Sequence, residues 1–349
     1  MKKILTIVVP TYNMQDYLQK CLDSLIVSEE QMKQLEVLVI NDGSKDNSSA
    51  IAHNYQNKYP NTFIVIDKEN GNYGSCINAG LAKASGKYFR ILDADDSFNT
   101  EALSKLLHKI ANMQEDVDMI CTNYDVFDDT GVCIEKHSFK NIHYGEITNF
   151  DEYDLYALGL SDMIAMHAIT YKTSLLRTIN YTQQTGISYT DTEFVFIPML
   201  SVETVMFLDI CLYRYLIGRV GQTVAQTVSK RRTEQYFKVA SRLLSIYKEH
   251  YSRISDSRRH NVSCCLFNVI RSYFFYSLFF LPKEEETEIR LNDLKHCISS
   301  IDSALWERLI RCRQKRIPYI KIWENKGFYL SESWLFRICL FIKKIISKW

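Results

Sequence analysis

Proline and glycine are scarce: five Pro and twelve Gly stand among 349 residues. That excludes collagen-like repeats and argues against long flexible linkers or low-complexity tracts. The ten cysteines include no CxxC pair, which leaves a zinc or dithiol redox motif without support. A charge of one sign is missing too. Lys and Arg number 42 against 41 Asp and Glu, a net of +1, which disfavours a globally basic nucleic-acid binder. No signal-peptide pattern opens the chain, because the short apolar stretch after Lys3 meets Pro10 at once. Free thiols in a reducing cytosol are the expectation. Long uninterrupted apolar runs are also lacking. Cys264 to Leu281 comes nearest, but Asn268, Arg271, Ser272 and Ser277 interrupt it. It reads as a buried core helix rather than a membrane span.

What is present is ordinary for a globular chain, with 46% hydrophobic and 24% charged residues. The length fits two domains. Neutrality hides an asymmetry. From Leu305 onward eleven Lys and Arg face three Glu, a net of +8, so the rest of the chain carries −7. A basic tail on an acidic body points to an anionic surface or polymer. The last stretch, Trp334 to Trp349, alternates apolar residues with Arg337, Lys343, Lys344 and Lys348. It is too short and basic to span a bilayer. It reads either as an interfacial amphipathic helix or as a terminal helix docked on the protein's own core.

Strand and helix patterns alternate through the first half. Ile4–Val9, Val37–Ile40, Phe63–Ile66 and Tyr88–Leu92 are short apolar runs, and Tyr17 to Leu25 and Ile77 to Ala84 show helical spacing. This predicts an α/β fold with a doubly wound, mainly parallel sheet and helices on both faces. Ligands bind such sheets beyond the carboxyl ends of the strands. Polar clusters stand at those ends: Thr11-Tyr12-Asn13, Asn41-Asp42-Gly43-Ser44 and Asp93-Ala94-Asp95-Asp96. Further on, Met119–Thr122 reads as a strand, Tyr124–Gly131 as an acidic loop and Val205–Tyr215 as another strand. After about Lys230 the pattern is helical, with Tyr236, Val239, Leu243, Leu244 and Tyr247 on one face.

The Asp93 to Asp96 string admits two readings. Clustered carboxylates at a strand end repel one another unless a divalent cation neutralises them, and Mg²⁺ or Mn²⁺ takes such oxygens together with phosphate. A solvated turn is the other reading, since Asp is common in turns. Likewise Asp42 suits an Asx-turn and Thr11 a strand-end cap. Ser188-Tyr189-Thr190-Asp191-Thr192-Glu193-Phe194 leads into a helix, where Thr190 or Asp191 fits an N-cap with Glu193 in the first turn. His167 fits a core histidine as well as a ligand-facing one. Arg219 and Gln222 lie on a bend, as surface groups or as phosphate contacts.

Taken together, Val8–Asn13, Val39–Asp46, Asn70-Gly71 through Asn78-Ala79-Gly80, and Leu92–Asp96 resemble the nucleotide-sugar half of family 2 glycosyltransferases, enzymes of the GT-A fold. Four linked motifs in order are far more specific than one. The resemblance implies a GT-A domain over residues 1–225, with a nucleotide-sugar half (1–100) and an acceptor half (101–225). Residues 226–349 would form a helical region ending in the basic amphipathic segment. It implies a nucleotide-sugar pocket of Pro10, Thr11, Tyr12, Asn13, Asp42, Gly71, Asn78, Asp93, Ala94 and Asp95. Within it, Asp95 with Asp93 would hold Mn²⁺ or Mg²⁺. Asp191 would be the general base, with Glu193 as its fallback, and His167, Arg219 and Gln222 would meet acceptor or phosphate. Many family members carry Arg where this chain has Ile77, so a diphosphate contact is missing here or comes from Lys68 or another cation.

The expected function is therefore inverting transfer from a nucleotide-sugar, with UDP as the expected nucleotide, to a hydroxyl of a growing lipid-linked bacterial surface glycan. The expected place is the cytoplasmic face of the membrane, touched through residues 334–349, with no nucleic-acid partner. The alternative is a catalytically degenerate nucleotide-sugar-binding scaffold of the same pathway. A sugar nucleotidylyltransferase would need a Gly- and Arg-rich loop after the first strand, and Pro10–Asn13 is not one. A glycosidase needs two opposed carboxylates, for which a nucleotide-type sheet gives no reason.

Overall fold

The computed structural model describes residues 2–155, 164–187, 190–219 and 230–333. The chain divides into two compact units, Met1–Gln226 and Thr227–Trp349.

The first unit is built on a ten-stranded sheet. It opens with β1 (Leu5–Thr11), α1 (Gln15–Asp23), α2 (Glu29–Gln34), β2 (Leu35–Asn41), α3 (Ser48–Lys58), β3 (Phe63–Asp67), α4 (Asn72–Lys83) and β4 (Tyr88–Ile91). The four strands are parallel, in the order β3-β2-β1-β4. Strand β1 is buried along its whole length, as a continuous apolar run in a parallel sheet must be. Helix α4 packs hard on it: a Cβ at Gly80 would lie 2.6 Å from Val8 Cγ2. The chain order reverses on either side of β1, so its carboxyl end is a switch point where a crevice forms.

The unit continues with β5 (Ser97–Phe98), α5 (Thr100–Ala111), β6 (Met119–Phe127), β7 (Cys133–His137), β8 (Ile147–Asn149), β9 (Ile169–Lys172), α6 (Thr173–Thr178), α7 (Asp191–Met199) and β10 (Thr204–Leu216). The sheet runs on from β4 as β9-β6-β10-β5, with β7 on β6 and β8 on β10. Here only β6 and β10 pair in parallel, so the parallel sheet of the first four strands becomes mixed. Val37, Val39, Leu22, Leu103, Leu106 and Tyr213 belong to one core that joins sheet and helices.

Two elements differ from the sequence reading. Helix α4 starts at Asn72 rather than near Ile77. Gly74 and the small polar residues around it carry weak helix propensity, and packing overrides it. Residues Tyr124–Phe127, read as loop, complete β6. Asp125 there lies opposite Arg214 on one side and Lys136 on the other, so cross-strand charge offsets the acidic composition.

The second unit is helical: α8 (Lys230–His250), α9 (Asp256–Phe280), α10 (Glu285–Ile301), α11 (Ser303–Arg311) and α12 (Tyr319–Lys326). On α8, Val239, Leu243, Leu244 and Tyr247 are buried, and Tyr236 stacks on Tyr276. Ser255 caps α9 by accepting the Arg258 N–H at 3.0 Å. Helix α9 is the one described helix long and apolar enough to cross a membrane, and 72% of its apolar window is buried inside the protein. The terminal segment 334–349 lies outside the described residues.

Candidate active site

The crevice at the end of β1 is walled by loops that lock one another. Asn13 adopts φ 52°, a left-handed turn that Asn tolerates. Its N–H donates to Ser44 Oγ at 3.1 Å, and its Oδ1 accepts the Lys45 N–H at 2.8 Å. Pro10 and Thr11 are buried beneath, whereas Tyr12 is 46% exposed. Asp42, at the end of β2, is buried and accepts from Lys68 Nζ at 2.6 Å and from the Gly71 N–H at 2.9 Å. Lys68 Nζ also donates to Ser75 Oγ at 2.9 Å. Thus Lys68, the stand-in cation of the sequence reading, neutralises Asp42. Ile77 is fully buried.

After β4 the three aspartates meet three different environments. Asp93 accepts the Tyr73 hydroxyl at 2.8 Å, and its N–H donates to Tyr213 Oη at 3.2 Å. Asp95 pairs with Arg219, whose guanidinium also lies over the Tyr17 ring. Asp96 is buried and accepts the Tyr213 hydroxyl at 2.6 Å and the Leu216 N–H at 2.7 Å. It ties the acidic string to β10. Ala94, expected in the sugar pocket, has its side chain in the hydrophobic core, which leaves only its backbone to meet a ligand.

Burial, then the Asp95 charge, raises the Asp93 pKa, and the same two causes raise that of Asp96. Crowding of this kind is relieved by a cation. Asp93, Asp96 and His167 bring ligand atoms within 4.8 Å of one another. Each Asp96 oxygen already accepts one hydrogen bond, from Tyr213 or Leu216, and keeps a further lone pair, so all three groups retain ligand capacity. Carboxylate with neutral imidazole fits a divalent transition ion such as Mn²⁺. The expected pair was Asp95 with Asp93. In this structure the Asp95 charge is answered by Arg219.

His167 stands in a cage of rings, 4.4 Å from Tyr215, 4.6 Å from Tyr213 and 5.5 Å from Tyr124 by centroids. Burial, then the charges of Arg90 and His137, push its pKa well down, so its ring is neutral. Arg90 is fully buried on β4. It donates to Thr170 Oγ1 at 2.7 Å and to the His167 carbonyl.

Asp191 opens helix α7. Its side chain reaches solvent within a recess crowded enough that desolvation raises its carboxyl pKa. Thr190 before it is bonded to Gln183, which is tied to Asn78 of α4, and α7 packs on the turn that carries His167, so Asp191 stands at the edge of the same crevice. Thr190 is the N-cap residue by position but makes no capping bond, which separates the structure from a simple capping box. Glu193 is buried, and its two oxygens accept from Gln184, at 2.9 Å from the N–H and 2.6 Å from Nε2.

With this geometry, the match to a sequence family is decisive. The model of glycosyl transferase family 2 covers residues 6–178. Residues 6–178 belong to glycosyl transferase family 2. The match takes in Asp42, the Asp93–Asp96 string and His167, and it ends before Asp191. An uncharacterized glycosyltransferase of Mycoplasma pneumoniae is 30% identical over 172 residues, 45% of this chain and 56% of that one. The minor teichoic acid biosynthesis protein GgaB of Bacillus subtilis is 30% identical over 115 residues, 33% of this chain and 13% of that one. These matches therefore span only part of the relatives' length. The crystal structure of S. aureus TarS with UDP-GlcNAc superposes with a TM-score of 0.63 at 20% identity, covering 86% of this chain and 82% of that one. That likeness shows a GT-A-like fold.

Other expected site residues already have partners within the protein. Asn78 has its amide engaged with the Gln183 backbone through two hydrogen bonds, at 2.9 and 2.8 Å. Its side chain is part of the frame. Gln222 lies outside the described residues. Tyr73, Tyr213, Arg90, Gln183 and Gln184 all touch site residues and were not among the expected ones. The one available signal was weak: Tyr73 falls inside the Asn70–Gly80 motif, and an aromatic beside a Gly-rich turn was there to be noticed.

Proposed function

We propose that this chain is an inverting glycosyltransferase that moves a sugar from a UDP-sugar to a hydroxyl of a growing, lipid-linked surface glycan. One observation carries the reading most: Asp191 opens α7 directly after Thr190, which is bonded through Gln183 to Asn78 of α4, the helix whose Tyr73 hydroxyl is bonded to Asp93 at the end of β4. An acid–base group and a diphosphate-side cluster in one crevice is what transfer requires.

In this reading Pro10, Thr11 and Asp42 receive the nucleoside, with Lys68 and the Gly71 N–H fixing the Asp42 carboxylate. Asp191 takes the proton of the acceptor hydroxyl. The freed oxygen attacks the anomeric carbon from the face opposite the diphosphate. The anomeric C–O bond breaks, its electrons leave with UDP, and the configuration inverts. A divalent cation, with Asp95, Asp93 and His167 as its candidate ligands, would offset the charge of the leaving diphosphate. Arg219 would shift from Asp95 toward that phosphate when the cation binds, since Arg suits phosphate oxygens.

The likeness to GgaB, a minor teichoic acid biosynthesis protein, supports a surface-glycan acceptor. The TarS complex with UDP-GlcNAc supports a UDP-sugar. We assign residues 1–225 to transfer and 226–349 to a helical region whose basic end, 334–349, would touch the cytoplasmic face of the membrane.

A thermal-shift panel tests this: UDP, GDP, CDP, TDP and ADP, each with Mn²⁺, Mg²⁺ or EDTA. A ligand of the native state raises its stability by mass action. We expect a metal-dependent rise with UDP. A rise with another nucleotide would replace the donor, and no rise with any would favour the inert scaffold.

A further inference from the structure

The segment before α7 is tied to two helices at once. Toward α4, Asn78 Nδ2 donates to the Gln183 carbonyl and Asn78 Oδ1 accepts the Gln183 N–H. Toward α7, Gln183 Oε1 accepts the Thr190 hydroxyl at 3.0 Å, while Gln184 donates twice to Glu193. Gln183, Thr190 and Glu193 are all buried. Gly74 makes the approach possible, since a Cβ there would lie 2.0 Å from Gln184 O. The same α4 starts with the Gly71 N–H on Asp42 and carries the Tyr73 hydroxyl on Asp93.

We propose that Gln183 and Gln184 are positioning residues: with Asn78, Thr190 and Glu193 they form a clasp that sets where Asp191 stands relative to the nucleotide side of the crevice. This rests on reading Asp191 as the base. The physical reason lies in α7. Seven of its nine residues are buried, so apolar contact surrounds it and does little to fix its rotation about its own axis. Directional hydrogen bonds at its first turn do fix that rotation. Glu193 is then an anchor, and its carboxylate serves as the acceptor for Gln184 rather than for a substrate proton.

The test exchanges the partners. Gln184→Glu alone sets a second carboxylate against Glu193. Gln184→Glu with Glu193→Gln lets amide and carboxylate trade places and restores the bond. Three readouts are taken on the full chain: UDP release from UDP-GlcNAc with water as acceptor, UDP affinity by calorimetry, and amide hydrogen exchange at residues 191–194. Gln184→Glu is expected to cut turnover by roughly 10²-fold, the scale of a misplaced catalytic group, with UDP affinity kept. Exchange at 191–194 should rise, which reads the clasp whichever sugar is the donor. The double variant should recover both turnover and protection, a recovery that general loss of packing does not give. Wild-type exchange and turnover in Gln184→Glu, with Asp191→Asn dead, would overturn the clasp and leave the base standing. A dead double variant alongside an active Asp191→Asn would instead make Glu193 the base and overturn the underlying reading.

Discussion

Residues 2–98 and residues 100–219 build their halves of the crevice by different means. In the first, the parallel strands β1, β2 and β4 deliver Thr11, Asp42 and Asp93 straight from their carboxyl ends. Backbone order alone puts them side by side. In the second, His167 comes from a 3-10 turn, Asp191 from a helix start and Tyr213 from a strand with register shifts around it. Such irregularities re-aim side chains. Their places depend on tethers far apart in sequence, such as Tyr213 on Asp96 and Gln183 on Asn78. A site can thus be half fixed by topology and half by side-chain bonds. Substitutions should divide the same way, with binding affected on the first side and turnover on the second.

The sharpest test of that division is Asp191→Asn. It should lower transfer by at least about 10²-fold, the ordinary scale for a lost general base, with UDP affinity unchanged. Lost UDP binding would break the division at once. The pH profile sharpens it. Desolvation raises the Asp191 pKa, so the carboxyl is protonated, and useless as a base, at pH values where an unperturbed aspartate is still ionised. Turnover should therefore fall on the acid side as pH drops through that raised value, and Asp191→Asn should lose this limb. Next in size is Gly74→Ala. Its Cβ would meet Gln184 O at 2.0 Å, so the chain must shift where α4 meets the clasp. Overpacking of this kind costs about 1–3 kcal/mol, read as a lower melting temperature together with lost turnover. Smaller again is Asp42→Asn, which keeps the shape and removes the charge that holds Lys68. UDP affinity should weaken by roughly tenfold, the value of one charged hydrogen bond, with turnover at saturating donor close to wild type. Equal loss in both would show that the first side also sets the chemistry.

The same division explains what the sequence told. Apolar runs that end in polar clusters located β1 to β4 and, with them, Asp42 and Asp93, because a buried parallel strand leaves a local pattern. Helix α8 was legible from its apolar face. The start of α4 and the end of β6 were not, since Gly74 and Asp125 contradict their elements locally and are held by partners on other elements. Asp191 was visible only through the family resemblance. Gln184 and Glu193 lie nine positions apart and form no known pattern. Arg90 reads as a flaw in an apolar strand until the His167 and Ala168 carbonyls and Thr170 appear around its guanidinium.

The smallest predicted effect concerns Arg219, where the two halves meet. Its guanidinium answers the Asp95 charge from the second half, while Asp93 and Asp96 crowd the same string. Arg219→Gln removes that compensation and leaves the acidic string more negative. Mn²⁺ alone, titrated without nucleotide, should then bind a few-fold tighter to the variant than to the wild type, since each 1.4 kcal/mol of relieved competition is about tenfold in affinity and a screened charge supplies only part of that. With UDP present the order should reverse, because Arg is then worth more on phosphate than on Asp95. Tighter metal binding both with and without UDP would mean that Arg219 only shields Asp95. Weaker binding in both would make it part of the metal site's frame, and the first half of the crevice would then depend on the second even before a donor arrives.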